Sequence, residues 1–199
     1  MKNVHNQLVF KRRVRVLSAE LAARLPANAR VLDIGCGSGE MAAAIMAQRP
    51  DVTIHGVDVL VRPDTAIPVK EYDGKTIPFA DGSYDVALLV DVLHHTDDPA
   101  AVLAEAARVA IQGVVIKDHY RDGPIAGLIL RFMDFVGNAS HGVRLPYNYL
   151  GQKQWEAIWR RLDLKPRQLG RDLGIYPMPF DLVFGHGLHF VALLSKGND

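Results

Sequence analysis

A single cysteine, Cys36, stands in a chain of 199 residues, so no internal disulfide can form, and this usage fits a reducing compartment. Neither sign of charge is in excess: 23 Lys and Arg against 22 Asp and Glu leave a net charge of +1. That is too little for a global field that draws in nucleic acid, so no nucleic-acid partner is expected. The local stretch Lys11-Arg12-Arg13 with Arg15 reads as a solvated helix face. No apolar run approaches the roughly 20 residues that cross a bilayer, and MKNVHNQLVFKRR lacks the uninterrupted apolar core of a secretion signal. Internal repeats and low-complexity linkers are missing too. These absences predict a soluble, cytoplasmic chain, one domain over residues 1–199, with length enough for a substantial core.

Regular patterning fills the space those absences leave. Apolar positions at helical spacing predict a helix over 14–25, stopped by Pro26. A buried-type strand follows at Arg30 to Ile34, then a glycine loop, then a helix at Glu40 to Gln48 built from good helix formers. Further strands are expected at Asp51 to Asp58, over 84–90 and over 113–116. Past Asp85, the run YDVALLV is continuous in apolar character, as in a strand covered on both faces. Asp98 followed by Pro99 opens another helix. This alternation predicts βαβ units and a mainly parallel sheet. The rhythm breaks in the last third, where a helix at Gln152 to Arg161 precedes two strands near 164–170 and 188–195.

The stretch VLDIGCGSGE, residues 31–40, carries the chemistry. Glycines after a strand admit a tight turn and let a ligand touch backbone N–H groups. Gly37, Gly39 and Ala42 satisfy G-x-G-x-x-A, and Asp58 stands at the spacing of a ribose acid, so a dinucleotide is one reading. Asp33 and Glu40 count against it, because both would repel a pyrophosphate. A ligand with an ammonium, a carboxylate and a ribose fits better, with Asp33 toward the ammonium and Asp58 on the ribose hydroxyls. S-adenosylmethionine has those groups.

VLDIGCGSGE and VTIHGVDV, with the later EYDGKTIPFADGSYDVALLVDVLHHTDDP, resemble the class I S-adenosylmethionine-dependent methyltransferases over about residues 28–117. The resemblance implies a Rossmann-like α/β fold: a doubly wound, seven-stranded, mainly parallel sheet, helices on both faces, and an antiparallel last strand. Together with the pattern of elements, it predicts a division of the chain into an N-terminal helical segment (1–27), a cofactor-binding half (28–119), an insertion or lid (120–150) and a C-terminal substrate half (151–199). It implies S-adenosylmethionine as cofactor, held by Asp33, Gly35, Cys36, Gly37, Gly39, Asp58 and Val59. Asp73, with Gly74 beside it, takes the place of an acid that contacts the adenine amino group, and Asp91 closes over the methionine part. One departure is local: Pro63 and Pro68 predict that the helix between Asp58 and Asp73 is short or absent. Cys36 reads as a small loop residue, not a nucleophile.

Methyl transfer from a sulfonium needs alignment and exclusion of water, plus a base where the acceptor must lose a proton. His94 and His95 follow a strand at the carboxyl edge of the sheet, and His119 ends another there. His119 is the favoured base, with His95 and His94 as further catalytic candidates. Strand alternation places Asp118 on the side opposite His119. His186 and His189 read as structural, and no metal site is expected, because the histidines lack compact ligand spacing. Residues 124–137 read as a helix apolar nearly all round, with Arg131, Asp134 and Asn138 on one polar stripe. Packing against the sheet is the favoured expectation for it. The functional reading is a lid over a hydrophobic or aromatic small-molecule acceptor, with peripheral membrane contact but no stable insertion. Asn138, His141, Tyr147 and Tyr149 are the candidate substrate contacts. The alternative to an enzyme is a noncatalytic, cofactor-binding protein that acts as partner or sensor; the oligomeric state is left open.

Overall fold

A computed structural model describes residues 2–138, 146–185 and 187–197, without the side chains of residues 2–10, 137 and 138. Seven strands form one sheet: β1 (Arg30–Ile34), β2 (Thr53–Asp58), β3 (Val69–Glu71), β4 (Tyr84–Val90), β5 (Ala110–His119), β6 (Leu164–Gly170) and β7 (His189–Lys196). Their order is β3-β2-β1-β4-β5-β7-β6. β7 runs antiparallel to both β5 and β6, and the other pairings are parallel. The expected doubly wound, Rossmann-like sheet with an antiparallel last strand is the one observed.

Neighbouring side chains of a strand point to opposite faces, which divides the core in two. Leu32, Ile34, Leu89 and Phe190 pack on one face with Trp155 and Trp159. That face is covered by α3 (Pro99–Val109) and α5 (Gln152–Arg161). Val31, Val86, Leu88 and Val191 pack on the other with Leu21, Ala42 and Ile45, from α1 (Lys2–Ala22) and α2 (Glu40–Gln48). Asp98 caps α3 as expected, its Oδ1 accepting from the amides of Ala100 at 3.0 Å and Ala101 at 3.1 Å, a contribution of about 1 kcal/mol.

Two expectations change and one holds. β5 is longer than the expected 113–116: it begins at Ala110 and takes in Lys117, Asp118 and His119. No helix lies between Asp58 and β3, in keeping with its prolines. The apolar helix α4 (Ala126–Asn138) does not bury itself against the sheet. Both faces are already covered, so α4 lies apart from them; among its described side chains it buries Ala126, Leu130 and Asp134, with Ile129 packed beside them against Tyr149 and Leu188. A short helix, α6 (Asp181–Phe184), lies beside it.

The sheet order reverses between β1 and β4, and ligands of open α/β sheets bind at the carboxyl ends of the strands flanking such a switch point. The glycine loop leaves β1 there.

Candidate active site

The loop between β1 and α2 is shaped by what surrounds it. Gly35 has φ 71° and donates its N–H to Val57 O at 2.7 Å. A Cβ there would stand 2.7 Å from Val92 Cγ2. Gly39 has φ 75°, and a Cβ on it would stand 2.6 Å from Ile67 Cγ1. Both positions therefore exclude side chains for sterics as well as backbone conformation.

Two carboxylates face this loop. Asp58, ending β2, accepts from Gly37 N at 2.7 Å and from Leu60 N at 2.9 Å. Each oxygen keeps a lone pair for a further donor. Asp33 is buried at 2% exposure, and burial, then the charge of Asp58, pushes its carboxyl up to about 8. Among the described residues no cation lies within ion-pair distance of it. The same burial, with Asp33 and Asp58, pushes the Cys36 thiol up, so Cys36 is not a nucleophile. Arg62 stands over the loop: a Cβ on Gly37 would meet its Nη2 at 3.7 Å.

Directly after Asp58, Val59 and Leu60 present large apolar side chains to solvent. Tyr72 N donates to Asp58 O at 3.1 Å, bringing the exit of β3 alongside. Asp73 follows and accepts from Thr76 N at 2.7 Å and Lys75 N at 2.8 Å, which lower its pKa. Gly74 lies against Val59. An apolar wall, the Asp58 carboxylate and the Asp73 carboxylate thus share one edge.

A second cluster occupies the carboxyl ends of β4 and β5. Asp91 has φ 58°, a conformation uncommon outside glycine, and its carboxylate is clamped by Arg13 of α1 and by Lys117 of β5. Burial opposes its ionisation, but Lys117 and Arg13 outweigh it and hold the carboxyl well below the usual range. Burial lowers the pKa of Lys117, whose Nζ also lies 3.1 Å from His189 Nδ1. His189 is anchored through Nε2 to Phe184 O at 2.8 Å.

Asp118 joins two imidazoles. Its Oδ1 accepts from His94 Nδ1 at 2.8 Å. It also accepts from the backbone N of His119 at 2.8 Å and lies 3.3 Å from His119 Nδ1. The alternation argument that kept Asp118 away from His119 is thus corrected: at the end of β5 the carboxylate turns back onto its neighbour. Burial depresses the pKa of His94, yet Asp118 outweighs it and the net shift is upward. Burial and then Lys117 push His119 down to about 4, so its imidazole is neutral at pH 7. Tyr149 stacks on His94 at 5.0 Å between centroids and meets His119 edge-on at 5.7 Å. His95, on the 3₁₀ turn Leu93–His95, has Nε2 3.6 Å from Asp134 Oδ1, and burial, then His94, lowers its pKa.

Among the described residues, Asp91, His94 and His119 form one group, and His94, His95 and Asp134 another, whose ligand atoms lie within 4.8 Å of each other. Sequence spacing did not foresee either. In the first, Lys117 and Arg13 already neutralise Asp91, which opposes a further cation there. Tyr149 joins the cluster and donates its hydroxyl to Leu130 O at 3.2 Å, whereas Tyr147 lies under Arg131 at 5.3 Å. His141 and the side chain of Asn138 fall outside the described residues, as does His186.

Sequence reasoning missed Arg13, Arg62, Lys117, Asp118, Asp134 and His189. Arg13 corrects the reading of the basic stretch as solvated, since it is committed to Asp91. Lys117 had a usable signal, because it alternates with His119 along one strand.

A family model described as a methyltransferase domain matches residues 6–169. The chain belongs to that methyltransferase family. It is a class I domain whose cofactor is S-adenosylmethionine. It is 34% identical over 112 residues to the 27-O-demethylrifamycin SV methyltransferase of Amycolatopsis mediterranei, covering 49% of this chain and 41% of that protein. It is 32% identical over 98 residues to the ubiquinone biosynthesis O-methyltransferase of Bordetella parapertussis, covering 42% and 39%. The matches thus span about two-fifths of the length of these relatives. Solved methyltransferases share the fold. The S-adenosylmethionine-dependent enzyme of Mesorhizobium loti has a TM-score of 0.65 at 18% identity, over 89% of this chain and 96% of that one. That of Methanosarcina mazei has 0.62 at 16% identity, over 88% and 96%.

Proposed function

We propose that this methyltransferase methylates a hydroxyl group of a small, apolar or aromatic acceptor, with His119 as general base. One observation carries the reading: Asp118 bridges His94 and His119 at the carboxyl edge of the sheet, beside the cofactor half. The names of the relatives support it, since both specify O-methylation in the making of a small molecule.

The residues present suit the cofactor. A buried carboxyl without a cationic partner, Asp33, matches the ammonium of the methionine part. The loop amides and Arg62 suit its carboxylate, Asp58 the ribose hydroxyls, and exposed Val59 and Leu60 the adenine face. Asp73 and Gly74 border that face, and Asp91 anchors the methionine end through Arg13 and Lys117. When bound, S-adenosylmethionine supplies a methyl carbon on a cationic sulfur that leaves with the bonding pair.

Asp118 accepts a hydrogen bond from His119 Nδ1–H, which favours the tautomer whose Nε2 carries the lone pair that receives the hydroxyl proton. The depressed pKa keeps this imidazole unprotonated at neutral pH. His94, charged more readily through Asp118, holds the carboxylate in place, and Tyr149 packs both rings. His95 and Asp134 close the site from the side of α4.

The test incubates the protein with methyl-labelled cofactor and a panel of phenols, hydroquinones and aliphatic alcohols of graded lipophilicity. Label recovered as a methyl ether supports the reading. Label found only on amines or carbon, or an unlabelled panel, overturns it.

A further inference from the structure

We infer that the outer face of α4 and the segment around α6 form one docking surface for an anionic bilayer. The outward side of α4 presents Leu128, Phe132 and Phe135, with Leu128 as much as 73% exposed. Met178, Phe180 and Leu182 are exposed in the neighbouring segment. Phe132 and Phe184 join the two, ring to ring at 6.4 Å. A contiguous apolar surface built from two chain segments marks an interaction site more than scattered exposed residues do.

The surrounding charge says what covers it. Arg12 of α1 donates to Gly174 O at 3.0 Å and Ile175 O at 3.2 Å. Those residues lead into Tyr176, whose ring meets Phe184 at 6.2 Å. The basic stretch of α1 therefore flanks the apolar surface, with Lys11 and Arg15 exposed, and Arg131 rises from α4 itself. Among the described residues, no acid pairs with Lys11, Arg12, Arg15 or Arg131. The acids nearby are Asp172, exposed, and Asp181, whose Oδ1 accepts from Tyr176 N at 3.1 Å. An apolar face with a cationic margin fits the boundary between acyl chains and anionic headgroups. A second copy fits less well, since a twofold contact would set the basic margins near one another. No helix among the described residues is long and apolar enough to cross a membrane. Docking through this outer face stands or falls separately from the chemistry at His119.

Sedimentation with phosphatidylcholine vesicles, with and without phosphatidylglycerol, tests this. The protein should pellet with the anionic vesicles and far less with the neutral ones. Leu128→Ser combined with Leu182→Ser should cut the bound fraction about tenfold. Lys11→Glu combined with Arg15→Glu should weaken anionic binding about fivefold per residue or more. Binding of S-adenosylhomocysteine, unchanged in all variants, shows that they fold. Absence of pelleting, equal binding to both vesicle types, or pelleting untouched by the two serines overturns the inference. So does a concentration-dependent dimer that the serine variant abolishes.

Discussion

His94 donates its Nδ1 proton to Asp118 across 2.8 Å, in a place where both side chains are almost wholly buried. The carboxylate also reaches His119, so one acid sets the orientation of two rings drawn from separate parts of the chain. Burial alone would strip both groups of charge. Their pairing reverses that, raising the pKa of His94 and lowering that of Asp118.

Replacing Asp118 by Asn should therefore remove more than a hydrogen bond. Breaking a buried pair costs about 3 kcal/mol or more, and both imidazoles lose the negative charge that holds their Nδ1 protons, though the amide oxygen still accepts. Turnover is expected to fall about a hundredfold or more while cofactor affinity stays within a few fold. The His94 titration, followed by proton NMR, should move down. An unshifted titration with normal turnover would remove Asp118 from the site.

Asp58 is expected to carry much of the cofactor affinity. Asp58→Ala would delete the charge-assisted bonds proposed to the ribose, each contributing about 1.5–3 kcal/mol, and would free the amides of Gly37 and Leu60. Calorimetry with S-adenosylhomocysteine should show a loss of tenfold or more. Equal affinity in wild type and variant would place the ribose elsewhere.

The cofactor half was legible because local signals suffice there. β1 and β4 are mostly apolar and largely buried, and the loop glycines lie where the sheet order reverses. What was not legible depends on distant partners. Arg13 sits in a basic run that reads as solvated, yet its carboxylate lies 78 residues away. Asp118 reverses the strand rule by a side-chain bend at the end of β5 that no periodicity encodes. The apolar surround of α4 was visible, but periodicity does not say whether other elements have already taken both faces of the sheet.

Asp33 predicts a trade between stability and binding. Its carboxyl ionises near 8 in the fold and near 3.9 when unfolded. Between those values unfolding releases a proton, so raising the pH favours the unfolded chain; the stabilisation is full below the lower value and lost through the upper. Asp33→Asn mimics the neutral form, so urea unfolding should find the variant within about 1 kcal/mol of wild type at pH 4.5 and a few kcal/mol more stable at pH 8. The same variant should bind cofactor more weakly, having lost the partner of the ammonium. A stability gap that does not widen with pH would mean Asp33 is ionised in the free protein.

His119 carries the opposite sign. Its imidazole titrates near 4 in the fold, below the 6.5 of an unfolded histidine, so unfolding takes up a proton between these values. Stability is present above 6.5 and is lost as pH falls toward 4; His119→Gln should flatten that slope in denaturant melts across this window. In turnover the same depression keeps the base unprotonated, so the acid limb of the pH–rate profile should lie well below the ordinary histidine range. His119→Ala should lower kcat about a hundredfold or more, with S-adenosylhomocysteine affinity nearly unchanged. An acid limb at 6.5, or full turnover in the alanine variant, would assign the proton to another group, and His95, across from Asp134, would be the next to replace.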